Sequence, residues 1–110
     1  KMKKFEIEHF LRPEDGRDVF LAWLQGLRDM RAKVAVIRRV ARMEIGNFGD
    51  HKFCRDGVFE LRVDIGPGYR VYYALSGDQV VLLFSGGTKG KQAADIDRAC
   101  SYWKIFQELR

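Results

Sequence analysis

Cysteine and proline are scarce in this chain of 110 residues, which has two of each. Cys54 and Cys100 stand 46 positions apart, with no C-x-x-C pair and no histidine at ligand spacing. That excludes a disulfide scaffold and a zinc finger, and it fits a reducing, cytoplasmic setting. No apolar run approaches the roughly 18 residues that cross a bilayer. The longest, Gln79 to Phe84 with its neighbours, has the length of a strand. Lys1-Met2-Lys3-Lys4 is followed by the alternating Phe5-Glu6-Ile7-Glu8 and not by an apolar stretch, so a secretory signal is not expected. Internal repeats, linkers and low-complexity tracts are lacking, and residues 1–110 are read as a single domain.

What is present is a globular composition, 46% hydrophobic and 32% charged, with a net charge of +5. The charge is unevenly placed. Residues 1–55 carry 13 Lys/Arg against 8 Asp/Glu, whereas residues 56–110 carry 7 of each. Arg31, Lys33, Arg38, Arg39 and Arg42 follow one another with no acid between them. Clustered positive charge points to a polyanion or an acidic protein as partner.

The hydrophobic period divides the chain. Phe5, Ile7 and His9 alternate with charged residues as in a half-buried strand. Pro13-Glu14-Asp15 reads as a helix entry, and Val19, Phe20, Trp23, Leu24 and Leu27 follow at helical spacing. A second helix is expected from about Asp29 to Ile45. Its apolar residues Met30, Val34, Ile37 and Ala41 project within about 60° of one another, the expected core stripe. Arg31, Arg38 and Arg42 fall on a different side. Beyond Gly46-Asn47 the period becomes two. His51 to Cys54, Val58 to Val63, Tyr69 to Leu75 and Gln79 to Phe84 read as strands of a meander, separated by Asp56-Gly57, Gly66-Pro67-Gly68 and Ser76-Gly77-Asp78. A last helix covers about Gln92 to Leu109, with Ile96, Ala99, Cys100 and Trp103 on one stripe. The order β-α-α-β-β-β-β-α describes an α+β domain: a helical hairpin and a C-terminal helix packed on a small, curved, mostly antiparallel sheet. The first strand has no hairpin partner, so it inserts at a distance and can lie parallel to its neighbour.

With Phe59, Leu61, Val63 and Ile65 facing a core, Arg62 faces away, and Arg70 and Tyr72 of the next strand share its side. Lys89 and Lys91 in the glycine-rich segment Gly86 to Lys91 close one end of this face, and Lys52 the other. Arginine forks hold phosphates, and tyrosines stack bases or move protons. Such a set suits RNA cleavage without a metal: a base takes the 2′-hydroxyl proton, cations stabilise the pentacoordinate phosphate, and an acid protonates the leaving oxygen. The alternative is structural, with Arg62 paired to Glu60 or Asp64 and the tyrosines padding the sheet. The glycine-rich segment lacks G-x-x-x-x-G-K-[ST] spacing, which argues against nucleotide hydrolysis. His9 and His51 are lone histidines; His51 is a candidate base because it titrates near neutrality. No cofactor or metal is expected.

The segments Ile45-Gly46-Asn47-Phe48-Gly49-Asp50-His51-Lys52, Val58-Phe59-Glu60-Leu61-Arg62 and Gly66-Pro67-Gly68-Tyr69-Arg70-Val71-Tyr72-Tyr73 closely resemble the RelE/ParE toxin superfamily. The stretch from Leu82 to Ile96 fits the addiction-module killer branch, similar to phage Gp49 and HigB toxins. The resemblance implies the toxin of a type II toxin–antitoxin pair, a ribosome-dependent endoribonuclease (mRNA interferase). Its partners would be a helix-turn-helix antitoxin and the translating ribosome, with operator DNA reached only through the antitoxin and no membrane. It places Arg70, Arg62 and Lys89 or Lys91 at the catalytic site, and strand alternation puts Tyr72 beside them. Lys52, Arg31, Arg38 and Arg42 are the candidate RNA contacts, the helix arginines serving equally as an antitoxin face. Two departures stand out: Leu61 and Val63 occupy the paired lysine positions of RelE, and the C-terminal tyrosine is missing. Both leave open a ParE-like gyrase poison, which acts by binding alone, or a non-catalytic co-repressor.

Overall fold

The computed structural model describes residues 3–87 and 89–110, and of Lys89 the backbone alone. Its elements are β1 (Glu6–His9), α1 (Val19–Gly26), α2 (Met30–Arg42), β2 (His51–Arg55), β3 (Val58–Val63), β4 (Tyr69–Ser76), β5 (Gln79–Gly86) and α3 (Gln92–Glu108). Single 3-10 turns, Met43–Ile45 and Lys89–Lys91, follow α2 and precede α3. The five strands form one sheet in the order β1-β5-β4-β3-β2. β2 to β5 run as an antiparallel meander, and β1, joined to it through the helical hairpin, lies parallel to β5. The α+β arrangement expected from the sequence is the one observed.

Capping fixes the helix starts. The Asp18 side chain accepts from Leu21 N at the head of α1, and Asp29 accepts from Arg31 N and Ala32 N at the head of α2. Pro13 therefore opens a turn and not a helix. Asp15 is used there by Arg12 and by the Arg17 amide.

Helices cover both faces of the sheet. On one face α1, α2 and the 3-10 turn after α2 bring Phe20, Leu24, Val36, Val40 and Met43 onto Leu61, Val63, Val71, Tyr73, Val80 and Leu82. On the other, Ala99, Trp103 and Phe106 of α3 pack on Val58, Tyr72, Ala74, Val81 and Leu83. A register shift opposite Tyr72 and Tyr73 turns both Leu83 and Phe84 toward α3, so β5 reads as apolar on both faces.

The stripe of α2 expected in the core is not there. Met30, Val34 and Ile37 are 65, 40 and 48% exposed, and Ala32, Val36 and Val40 are buried in their place. Both stripes are apolar, and the buried one is the one that carries Arg39 toward the sheet edge. Arg39 projects from the same side as Val36 and Val40, and it donates to the carbonyls of Arg62 (2.6 Å), Phe48 (3.1 Å) and Asp50 (3.0 Å). Burial lowers the Arg39 pKa, the cost of placing a guanidinium under the sheet edge. Gly49 passes so close to it, at φ +61°, that a Cβ would lie 3.0 Å from Nη2.

Candidate functional site

Arg62 and Arg70 are direct cross-strand partners in β3 and β4, so their side chains leave the same face of the sheet side by side. Like charges in that relation repel, and two carboxylates offset the repulsion. Asp50, at the entry to β2, accepts from Arg62 Nε at 3.1 Å and Nη2 at 2.8 Å through one oxygen. This contact raises the Arg62 pKa and keeps the guanidinium firmly charged. Glu60 is 1% exposed and lies below the pair. Its two oxygens stand 3.8 Å from Arg62 Nη1 and 3.9 Å from Arg70 Nε. Gln92 Nε2 at the start of α3 donates to Glu60 at 2.9 Å, and the Cys54 thiol approaches at 3.8 Å. A buried carboxylate is tolerated only when neighbours of this kind surround it. The structural reading of Arg62 thus holds in part: Glu60 and Asp50 are its partners, and Asp64 is not among its ion pairs.

Above the arginines opens a cleft of about 390 Å³, lined by Asp50, Arg62, Asp64, Gly68, Tyr69, Arg70 and Gly87 among others. Arg70 Nε is buried without a hydrogen-bond partner. The two guanidiniums, one exposed to solvent and one mostly enclosed, form a concave cationic site suited to an oxyanion.

The remaining expected residues divide. Lys52 is exposed on β2 in register with Glu60, which brings it to the same face as the arginines. Lys91 is exposed at the head of α3, and its charge acts together with that of Arg70 on Asp95 in the first turn. Burial pushes the Asp95 carboxyl up, with Arg98, Lys91 and Arg70 pulling it down. The Asp95 carboxylate lies against Gly86, where an added Cβ would displace it. The Lys89 side chain lies outside the described residues.

Tyr72 is a correction. The sequence places it beside Arg62 and Arg70 on an open face, but α3 covers it and none of it is exposed. Its hydroxyl is buried without a partner, and burial, followed by the charges of Glu60 and Asp95, raises its pKa. It cannot stack a base or exchange a proton with a ligand in the cleft. Tyr72→Phe is accordingly expected to leave stability unchanged or raise it by up to about 1 kcal/mol, since a buried unpaired hydroxyl is removed. Thermal denaturation of the two proteins checks the sign; a clear fall in Tm would mean the hydroxyl is bonded.

Arg31, Arg38 and Arg42 are exposed on α2, which packs on the opposite face of the sheet, so the fold does not bring them to the cleft. His51 pairs in register with Leu61 and turns to that same far face, where Nδ1 contacts the Gly49 carbonyl at 2.8 Å. His9 contacts Asp18 at the head of α1. Cys54, pushed up to about 11 chiefly by burial, is a protonated thiol at neutral pH. Asp50 and Gln92 were not legible as site residues, because Asp50 reaches Arg62, and Gln92 reaches Glu60, from a different element.

No group of three or more His, Cys, Asp or Glu side chains is arranged to hold a metal ion among the described residues. No helix among them is long and apolar enough to cross a membrane. The chain is similar to an uncharacterized protein of Haemophilus influenzae (strain Rd), 46% identical over 80 residues that cover 73% of this chain and 81% of that one. No protein-family model matches.

Proposed function

The chain belongs to the family of that Haemophilus influenzae protein, and we propose that it is the toxin of a type II toxin–antitoxin pair, an RNA-cleaving member of the RelE/ParE superfamily. The observation that carries this reading is the adjacent Arg62–Arg70 pair opening on a cleft. In this reading the guanidiniums hold the scissile phosphate and stabilise the charge of its pentacoordinate state. Lys52 and Lys91 take flanking phosphates. Asp95, a carboxyl raised by burial and within the field of Arg70, takes the 2′-hydroxyl proton as the 2′-oxygen bonds to phosphorus. The bond to the 5′-oxygen breaks, and the departing oxygen takes a proton from water in the open cleft. The substrate is mRNA on the ribosome, and the compartment is the cytoplasm. Induced expression followed by primer extension on a cellular mRNA tests it: discrete cuts within translated codons are expected. The burial of Tyr72 favours a second reading, a ParE-like toxin that binds gyrase without chemistry. Intact mRNA together with inhibited supercoiling would establish that one instead.

The outer face of α2 is the proposed antitoxin surface. Met30, Val34 and Ile37 are exposed there beside Arg31, Arg38 and Arg42, none of which has an ion pair among the described residues. RNA would cover the arginines and leave the apolar stripe in water; an acidic amphipathic segment covers both. Arg38→Glu combined with Arg42→Glu is expected to weaken antitoxin binding by about tenfold or more and to flatten its salt dependence. Affinity titration at two salt concentrations measures this. An unaltered affinity would reduce the arginine row to a solvated helix face.

A further inference from the structure

The carboxylate of Asp50 sits on Arg62 in the manner of a bound phosphate. Its loop is fixed from two sides: Arg39 donates to the carbonyls of Phe48 and Asp50, and the Arg62 amide donates to the Asp50 carbonyl at 2.9 Å. Thus anchored, Asp50 presents Oδ1 to the Nε–Nη2 edge of Arg62, at 3.1 and 2.8 Å. That edge is one of those through which an arginine receives a phosphate oxygen. Asp50 also lines the cleft.

The two carboxylates around the arginines differ in one decisive respect. The Glu60 side chain is 2% exposed and cannot be displaced, whereas those of Asp50 and Arg62 are 54 and 42% exposed. An exposed ion pair is weak enough to be exchanged for a ligand. Glu60 therefore orients the pair from below, while Asp50 competes from above. We propose that Asp50 is an internal competitor that occupies the phosphate-binding edge of Arg62 and is released when the phosphate backbone of a nucleic acid enters. The inference rests on the reading of Arg62 and Arg70 as phosphate-binding groups. Backbone contacts keep the loop in place while the side chain swings out, so exchange requires no change of fold.

The occupied state lowers apparent affinity in proportion to its population, so removing the competitor tightens binding. The probe is a short fluorescein-labelled single strand with 2′-O-methyl sugars, which binds without being cut, titrated by anisotropy at one fixed low salt concentration. Asp50→Asn keeps the shape and is expected to bind about two- to fivefold more tightly than the parent, the range of an exposed ion pair. Asp64→Asn removes the same charge from the same cleft, where Asp64 has no ion pair among the described residues. Its gain is expected to be smaller, under about twofold, from long-range charge alone. Equal gains in both variants would mean that only net charge matters, and weaker binding of Asp50→Asn would mean that Asp50 orients Arg62 for the ligand. Either result overturns the proposal. Failure of the underlying reading is seen separately, as an Arg70→Ala variant that binds the strand as well as the parent.

Discussion

Arg70→Ala is expected to abolish growth arrest on induced expression and to lower RNA cleavage by about a hundredfold or more, the scale for removing one preorganised donor to a developing oxyanion. Two features of Arg70 support so large an effect. Its side chain is 16% exposed, so its charge acts at the wall of a cleft where water screens it poorly. Its Nε is also buried without a partner, a donor already desolvated. Closed to solvent, Nε cannot itself meet a ligand oxygen, so the terminal nitrogens of the fork make that contact, held to one orientation by the enclosed stem. The truncation leaves Glu60 with one arginine fewer, so a stability loss of about 1–3 kcal/mol accompanies it. Arg70→Lys separates the two effects. It keeps a cation near Glu60, and with it most of the stability, but it lacks the planar fork, so activity should still fall at least tenfold. Measured Tm and cleavage rate for both variants decide the matter. Full toxicity in a folded Arg70→Ala protein would remove Arg70 from the site.

The second large effect concerns α2. Val36→Asp is expected to unfold the domain, whereas Ile37→Asp, one residue on, is expected to leave Tm within a few degrees. Val36 is fully buried against Leu61, Val71 and their neighbours, and a carboxylate there would have no partner. An unpaired buried charge costs several kcal/mol, comparable to the roughly 5–15 kcal/mol that hold a domain folded. Ile37 is 48% exposed, and at its position an acid meets water. The same Ile37→Asp protein should lose antitoxin affinity, which separates the folding face of the helix from the binding face. Thermal melts of the two purified variants suffice. Comparable destabilisation by both would place Ile37, and not only Val36, in the core.

These contrasts mark how far the sequence was legible. The strands of the meander follow from alternation in Phe59 to Ile65 and Tyr69 to Leu75, because a period of two needs no knowledge of what lies opposite. The absence of a hairpin partner said that β1 inserts at a distance, and left its direction open. Arg62 and Arg70 were legible as residues of one face because alternation holds along both strands, while their direct pairing came with the observed register. The core stripe of α2 was not. Met30-Val34-Ile37 and Ala32-Val36-Val40 both satisfy a helical period, and the buried one is the one that carries Arg39 to three carbonyls 9 to 23 residues away. Tyr72 failed for a related reason. Alternation gives its side of the strand but cannot say that α3, some 20 residues later, lies on that side.

By itself, then, the sequence determined the main elements, their order and, along β3 and β4, which side chains alternate to one face, since these are local consequences of period and turn chemistry. The tertiary structure alone decided which shared faces meet water. By laying α3 over one face of the sheet it turned Tyr72 from a candidate proton donor into core, and it converted Glu60 into a buried counter-charge beneath two arginines. By bending the Gly49 loop around Arg39 it set Asp50 on Arg62. Desolvation and charge pairing depend on what distant segments bring into contact, and no spacing along the chain encodes them.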